Sequence, residues 1–95
     1  MIVYIAGKMT GLPDKGRSAF MKAEEVLSGK GYIVLNPSVL PDGMEPDQYM
    51  PICMAMLEQA DAIVLLDGWE DSMGASLEHA YAAYQGKTVL TMTGV

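Results

Sequence analysis

DAIVLLDGWEDSMGASLEHAYAAYQG, residues 61–86, contains an apolar run, a turn and an alanine-rich segment. The apolar run Asp61–Asp67 predicts a buried strand, and Asp67-Gly68 predicts the turn that ends it. The alanine-rich segment predicts a helix with Ser72 as its N-cap and Gly86 as its C-terminal stop. A strand that passes directly into a helix is the repeating unit of a parallel α/β sheet.

The rest of the chain repeats this unit. Three more strands are predicted by apolar runs at Ile2–Ala6, Tyr32–Pro37 and residues 87–94, and two more helices by residues 17–31 and 48–60. The order βαβαβαβ predicts an α/β fold: a three-layer, flavodoxin/Rossmann-like parallel sheet of four strands in the order 2-1-3-4, with helices on both faces. We expect residues 1–95 to form a single domain.

Composition excludes several classes of protein. Hydrophobic residues make up 51% of the 95 residues, which indicates a globular chain. The net charge of -6 argues against a nucleic-acid partner, because such a partner requires a surface that neutralises phosphates. No apolar run approaches the roughly 20 residues of a membrane span, and the N-terminus has no signal-peptide pattern. We therefore expect no membrane partner and a cytoplasmic location.

Cysteine and methionine content bears on cofactors and partners. Cys53 is the one cysteine, so an internal disulfide is excluded, and its apolar surroundings favour a buried structural thiol over a reactive one. The sequence predicts no metal site and no cofactor. Nine methionines favour an adaptable core or a buried subunit contact, which predicts a homodimer or a larger homo-oligomer.

Two glycine-containing loops are expected to meet above the sheet. In the order 2-1-3-4, strand two is added on one side of strand one and strand three on the other, so the strand order reverses between strands one and three. Open α/β sheets bind ligands at such a switch point. The loop AGKMTG follows strand one, and the segment DGWEDSMG follows strand three. The predicted ligand contacts from these loops are Gly7, Lys8, Met9, Gly68, Trp69, Ser72 and Gly74.

Glu78 is the candidate reactive group. It lies near the start of the third helix among small residues, where it can be partly desolvated while the helix dipole favours its ionised form. Such a carboxylate suits a nucleophile or a group that stabilises a developing cation, although a plain surface glutamate fits the spacing as well. On the same helix, Leu77, Tyr81 and Tyr84 share a stripe that predicts a core face.

Other candidates have a structural alternative. AGKMTG matches neither GxGxxG nor a Walker A loop, so a turn is as good an interpretation as a ligand loop. Asp67 can be a turn residue, Ser72 a helix cap, and Trp69 either a lid or a packing residue. His79 has no predicted partner and favours a structural role.

Four segments together resemble a known superfamily: VYIAGKMTG, YIVLNP, ADAIVLLDGW and SMGASLEHAYA. They are similar to small, mostly phage and bacterial proteins of the DUF4406 type, which are related to the nucleoside 2-deoxyribosyltransferases. The resemblance covers nearly the whole chain, and Y-x-A-G and G-x-x-x-E-x-x-x-A are its most specific parts.

The resemblance implies roles for individual residues. Tyr4, Ala6 and Gly7 would line the floor of the site, Asp67 would contact the sugar or the base, and Glu78 would attack C1′ of the deoxyribose. In the transferases an acidic residue six positions before the nucleophile binds the free 5′-hydroxyl. In the related deoxynucleoside 5′-monophosphate N-glycosidases that position is a serine that accepts phosphate. Here it is Ser72, with Lys8 or Arg17 as possible further positive charge and Asp71 as an adjacent acid.

The resemblance therefore favours N-glycosidic bond cleavage or deoxyribosyl transfer on deoxynucleosides or their 5′-monophosphates, with Glu78 and Asp67 as catalytic residues. A binding protein of the same fold that senses or sequesters nucleotides without turnover stays open, as does a small assembly protein.

Overall fold

Four parallel strands form the centre of the fold in a computed structural model that describes residues Met1–Val95. The strands are β1 (Ile2–Ala6), β2 (Ile33–Leu35), β3 (Ala62–Leu65) and β4 (Thr88–Thr91). All pairs are parallel and the order is β2-β1-β3-β4, so the predicted topology is confirmed. β1 and β3 lie in the middle, and their carboxyl ends are neighbours in the sheet.

Three helices cover the sheet: α1 (Arg17–Gly29), α2 (Pro46–Gln59) and α3 (Met73–Tyr84). α3 begins where the sequence predicts, because the Ser72 side chain accepts a hydrogen bond from the Ala75 N–H. α2 begins two residues before the predicted start. Its N-cap is Glu45, which forms a capping box with Gln48, and Pro46 occupies the first turn.

Alternation along β1 assigns its side chains to two separate cores. Val3 and Ile5 face one side of the sheet, where they pack with buried residues of α1. Tyr4 and Ala6 face the other side, where they pack with buried residues of α2 and α3. Side chains at successive strand positions point to opposite faces, so Tyr4 is directed towards α3.

The outer face of α3 differs from the prediction. Leu77 is 54% exposed and Tyr84 is 87% exposed, so the expected core stripe is wrong for these two residues. The buried stripe consists of Ala75, Glu78 and Ala82. Small side chains let α3 approach the sheet closely, and that approach carries Glu78 inward and leaves the larger apolar side chains outside.

None of the helices has the length and apolar character required to cross a membrane.

Candidate functional site

A cavity of about 470 Å³ opens above the carboxyl ends of β1 and β3. This volume lies in the range of small-molecule sites. Three segments enclose most of it: β1 with the loop that follows it, the first half of α2, and the start of α3. The lining residues are Tyr4, Ile5, Ala6, Gly7, Lys8, Met9, Thr10, Phe20, Pro37, Pro46, Met50, Cys53, Asp71, Ser72, Met73, Gly74, Ala75, Leu77 and Glu78.

Glu78 supplies the buried carboxyl group of this cavity. Its side chain is only 6% exposed, and its Oε2 accepts a hydrogen bond of 2.6 Å from the Tyr4 hydroxyl. No lysine or arginine forms an ion pair with it, since the two ion pairs of the protein both involve Asp42. One oxygen is thus fixed by a neutral donor, and Oε1 has no protein hydrogen bond.

The surroundings of Glu78 shift its pKa upward. Burial disfavours the charged form and raises the pKa to about 7, while the hydrogen bond from Tyr4 opposes the rise. Burial, together with the charge of Glu78, also raises the pKa of the Tyr4 hydroxyl, so Tyr4 stays a proton donor to the carboxylate. Burial likewise raises the pKa of the Cys53 thiol, which makes it a poor nucleophile.

The start of α3 forms a second polar part of the cavity. The oxygen of Ser72 caps the helix by accepting from the Ala75 N–H at 3.1 Å, so its own O–H proton is available to a ligand. The N–H groups of Met73 and Gly74 make no backbone hydrogen bond. Donors of this kind at a helix N-terminus favour an anion. The Asp71 carboxyl lies beside them in the lining and opposes that preference.

The loop after β1 follows the sheet closely because Gly7 has no side chain. A Cβ atom at this position would lie 3.1 Å from the Leu66 Cβ and 3.3 Å from the Phe20 ring. Both neighbours belong to the core, so there is little space for them to move. Glycine at position 7 therefore keeps Lys8 and Met9 at the cavity.

Eight of the residues predicted for the site lie together in the cavity lining: Tyr4, Ala6, Gly7, Lys8, Met9, Ser72, Gly74 and Glu78. Asp67, Gly68 and Trp69 do not line it. Gly68 has φ of 85°, and a short 3₁₀ helix over Trp69–Asp71 follows it. This turn leaves Asp67 exposed and brings Asp71 and Ser72 to the cavity. The catalytic role of Asp67 stays a prediction that the cavity does not support.

Trp69 packs against α3. Its ring meets the His79 ring in an edge-on contact with centroids 4.6 Å apart. This contact agrees with the packing role, which was one of the two alternatives for Trp69. It also gives His79 a partner that the sequence did not indicate.

The sequence interpretation missed the contribution of α2. Pro46, Met50 and Cys53 line the cavity, and Cys53 is only half-buried. A signal for this was present in the topology, since a helix that follows a parallel strand begins at the carboxyl edge of the sheet. Its first turns are therefore near any ligand bound there.

The arrangement suits chemistry at a carboxylate and does not suit a metal. No group of three or more His, Cys, Asp or Glu side chains is placed to hold a metal ion. A buried carboxylate with one fixed and one free oxygen can attack an electrophilic carbon or exchange a proton near neutral pH.

Comparison with known proteins identifies the family and the fold. The family model described as Domain of unknown function (DUF4406) matches residues 1–91. Among solved structures, a 2-desoxiribosyltransferase from Leishmania mexicana matches with a TM-score of 0.75 and 26% sequence identity. The alignment covers 95% of this chain but 62% of that chain, so this chain spans less than two thirds of its length. Comparison with curated proteins found no match.

The raised pKa of Glu78 predicts an unusual dependence of stability on pH. The folded state holds the proton up to a pH of about 7, whereas the unfolded chain releases it near 4.5. The stabilisation that Glu78 contributes to the folded state is therefore fully present below pH 4.5 and is lost as pH rises through 7. The loss amounts to about 3 kcal/mol in the free energy of unfolding.

Urea unfolding between pH 4.5 and pH 8.5 measures this loss. Glu78→Gln is expected to abolish the contribution of Glu78 to the slope of unfolding free energy against pH. Glu25→Gln, at an exposed position of α1, is expected to retain that contribution. Equal slopes for the wild type and Glu78→Gln would contradict the assignment.

Proposed function

Because the chain belongs to the DUF4406 family and has a nucleoside 2-deoxyribosyltransferase-like fold, we propose that it cleaves N-glycosidic bonds of deoxynucleosides or their 5′-monophosphates. The observation that carries the proposal is the Glu78 carboxyl, which is buried at the cavity with Oε2 held by Tyr4 and Oε1 unpartnered. The fold suggests that the ligand is a nucleoside. The cavity supplies a carboxylate that can react with such a ligand.

The proposed reaction has two steps. Oε1 of Glu78 attacks C1′ of the deoxyribose, and the bond from C1′ to the base nitrogen breaks. The base leaves with the bonding electrons and takes up a proton from water. Water or a second base then attacks C1′ and releases the carboxylate, so the sugar keeps its configuration. Water as acceptor makes the protein a hydrolase, and a second base makes it a transferase.

Tyr4 is a positioning residue in this proposal. Its hydroxyl fixes one oxygen of Glu78 and stabilises the ionised form, which is the nucleophilic one. A tyrosine achieves this without a positive charge. A cation at the same place would stabilise the carboxylate more strongly and would make it a weaker nucleophile.

The 5′ end of the substrate is proposed to lie at Ser72. The Ser72 hydroxyl and the N–H groups of Met73 and Gly74 form a set of donors for a phosphate, and Lys8 in the same lining adds positive charge. Asp71 is the group that would favour a free 5′-hydroxyl. The donors outnumber it, so we propose the 5′-monophosphate as the better substrate.

Release of free base from deoxynucleoside 5′-monophosphates, followed by chromatography, tests the reaction. Wild-type protein is expected to release base, and Glu78→Gln is expected to lose at least about 10³-fold in rate because its amide is not a nucleophile. The rate should rise with pH through about 7 as Glu78 ionises. Tyr4→Phe should move this midpoint upward by about one pH unit, since a hydrogen bond to the charged form is lost.

Two controls make the result interpretable. Glu25→Gln should keep the wild-type rate, and calorimetry on Glu78→Gln should still detect bound nucleotide. Binding by the wild type without base release would overturn catalysis and leave the nucleotide-binding alternative. Absence of both binding and release would leave only an assembly role.

Substitution of Ser72 tests the position of the 5′ end. Ser72→Asp should reverse the preference from the 5′-monophosphate to the free nucleoside by about 10-fold or more in kcat/KM, because a carboxylate repels phosphate. Aspartate is as good an N-cap as serine, so α3 should stay intact. Asp71→Asn is the matched variant and should strengthen the preference for phosphate. A preference that neither variant changes would place the phosphate elsewhere.

We also propose that the protein self-associates through the outer face of α3. Met73 and Leu77 are 82% and 54% exposed, and both belong to the lining of the cavity. A second copy would cover this apolar surface and narrow the opening. Sedimentation at micromolar concentration should show a dimer or larger species for the wild type and a smaller species for Leu77→Glu. A wild-type monomer would contradict the proposal.

A further inference from the structure

A second cavity of about 510 Å³ adjoins the first one. The two share Met9, Thr10, Pro37, Pro46 and Cys53 as a common wall. Each has the volume of a small-molecule site, so the first can hold a nucleotide and the second is additional space. Its own lining includes two cationic side chains, Lys15 and Arg17, and one aromatic side chain, Tyr49.

The outer wall of the second cavity is held in place by hydrogen bonds. The Tyr49 hydroxyl donates to the Pro41 carbonyl and accepts from the Met44 N–H, which ties the loop before α2 to that helix. Arg17 donates from Nε to the Ser38 carbonyl at 3.0 Å. The cavity is therefore formed by fixed segments of the chain.

Lys15 and Arg17 are held next to each other by one carboxylate oxygen. The Oδ1 atom of Asp42 lies 3.3 Å from Lys15 Nζ and 3.1 Å from Arg17 Nη2. Two positive charges share this single counter-charge, so the group as a whole carries a net positive charge. The Arg17 guanidinium has five N–H donors, and two of them are used within the protein. The others are available to an anion.

The backbone at Lys15 is strained. Its φ of 57° makes it the only residue other than glycine with positive φ in the chain. Lysine is disfavoured in this conformation, and residues held there cluster at binding sites. A glycine or an asparagine would satisfy the turn, whereas a lysine adds a charge to the cavity.

The distribution of charge agrees with this. The protein carries six lysines and arginines against twelve acids, whereas the lining of the second cavity holds Lys15 and Arg17 against Asp42 alone. An anionic ligand that is repelled by the surface in general therefore meets favourable charge here.

We propose that the second cavity is an anion subsite for the leaving-group side of the ligand, so that the substrate carries an acidic substituent on its base. This inference rests on the proposed function. In this proposal the 5′ end lies at Ser72, the sugar lies at Glu78, and the base lies against the wall that the two cavities share. A carboxylate or phosphate on the base then reaches Lys15 and Arg17, whereas a plain base leaves them unused.

Two nearly isosteric nucleotides test the subsite: thymidine 5′-monophosphate and 5-carboxy-2′-deoxyuridine 5′-monophosphate, which differ in a methyl against a carboxylate. Calorimetry with Glu78→Gln measures binding without turnover. We expect the carboxylate compound to bind at least 10-fold more tightly. Lys15→Gln and Arg17→Gln should each weaken it by about 10-fold and leave the binding of the methyl compound within 2-fold. The 5-phosphonomethyl analogue shows whether the preferred anion is a phosphate or a carboxylate.

Lys22→Gln is the matched control, because it removes one positive charge from an exposed position of α1 outside both cavities. It should change neither affinity. Lys15→Gln retains the Arg17 contact with Ser38, so its result does not depend on the integrity of that wall. The subsite would be overturned if the two nucleotides bound with equal affinity. It would also be overturned if Lys22→Gln weakened binding of the carboxylate compound as much as Lys15→Gln does.

The same experiments separate this inference from the proposed reaction. A preference for the carboxylate compound without base release by the wild type would establish the subsite and refute the glycosidase. Base release from both compounds at equal kcat/KM would support the glycosidase and refute the subsite.

Discussion

The hydrogen bond between the Tyr4 hydroxyl and Glu78 is the interaction on which the site depends. It joins the first strand to the last helix over a sequence separation of 74 residues. Tyr4 can reach the carboxyl because alternation along β1 directs it to the α3 face, and α3 can approach because its inward positions are Ala75 and Ala82. The alternation along β1 and the small residues of α3 are thus both required for the hydrogen bond between Tyr4 and Glu78.

The protein keeps positive charge away from its buried carboxyl. A cation beside Glu78 would reduce the cost of burying its ionised form, but the only donor is neutral. The positive charges of the two cavity linings are Lys8, Lys15 and Arg17, and none of them pairs with Glu78. The interior thereby retains a carboxylate whose ionised form is destabilised by burial, and the two cations of the second cavity favour the anionic group proposed above. In the proposed reaction, binding affinity and reactivity would for this reason be supplied by different residues.

Much of the fold could be predicted from the sequence because its strands are short, continuous apolar runs separated by helical patterns. β1 and the cap of α3 agree with the structure, and the strand order is the flavodoxin-like one expected for this alternation of strands and helices. The burial of α3 could not be predicted in the same way. Periodicity favoured the larger Leu77 and Tyr84 as core residues, but close packing on the sheet selected the small ones.

Within the candidate site, the sequence predicted which segments lie at the carboxyl edge of the sheet better than it predicted the direction of single side chains. The loop after β1 and the first turn of α3 were identified because topology alone places them at the switch point. Asp67 seemed equivalent, but it is exposed and lies outside the cavity, and the direction of a single side chain in a turn is not encoded by spacing. Cys53 lies in the middle of α2, and its position at the cavity depends on how that helix packs.

The separation of Tyr4 and Glu78 along the chain also affects folding. No local fragment contains both residues, so a carboxyl with a raised pKa exists only when the first strand and the last helix have met. In an unfolded or partly synthesised chain Glu78 is an ordinary surface acid with an ordinary pKa. A ligand that requires the assembled cavity binds only the native state, and by mass action it then stabilises the whole protein. A nucleotide of the kind proposed would thus stabilise the folded protein in addition to being its substrate.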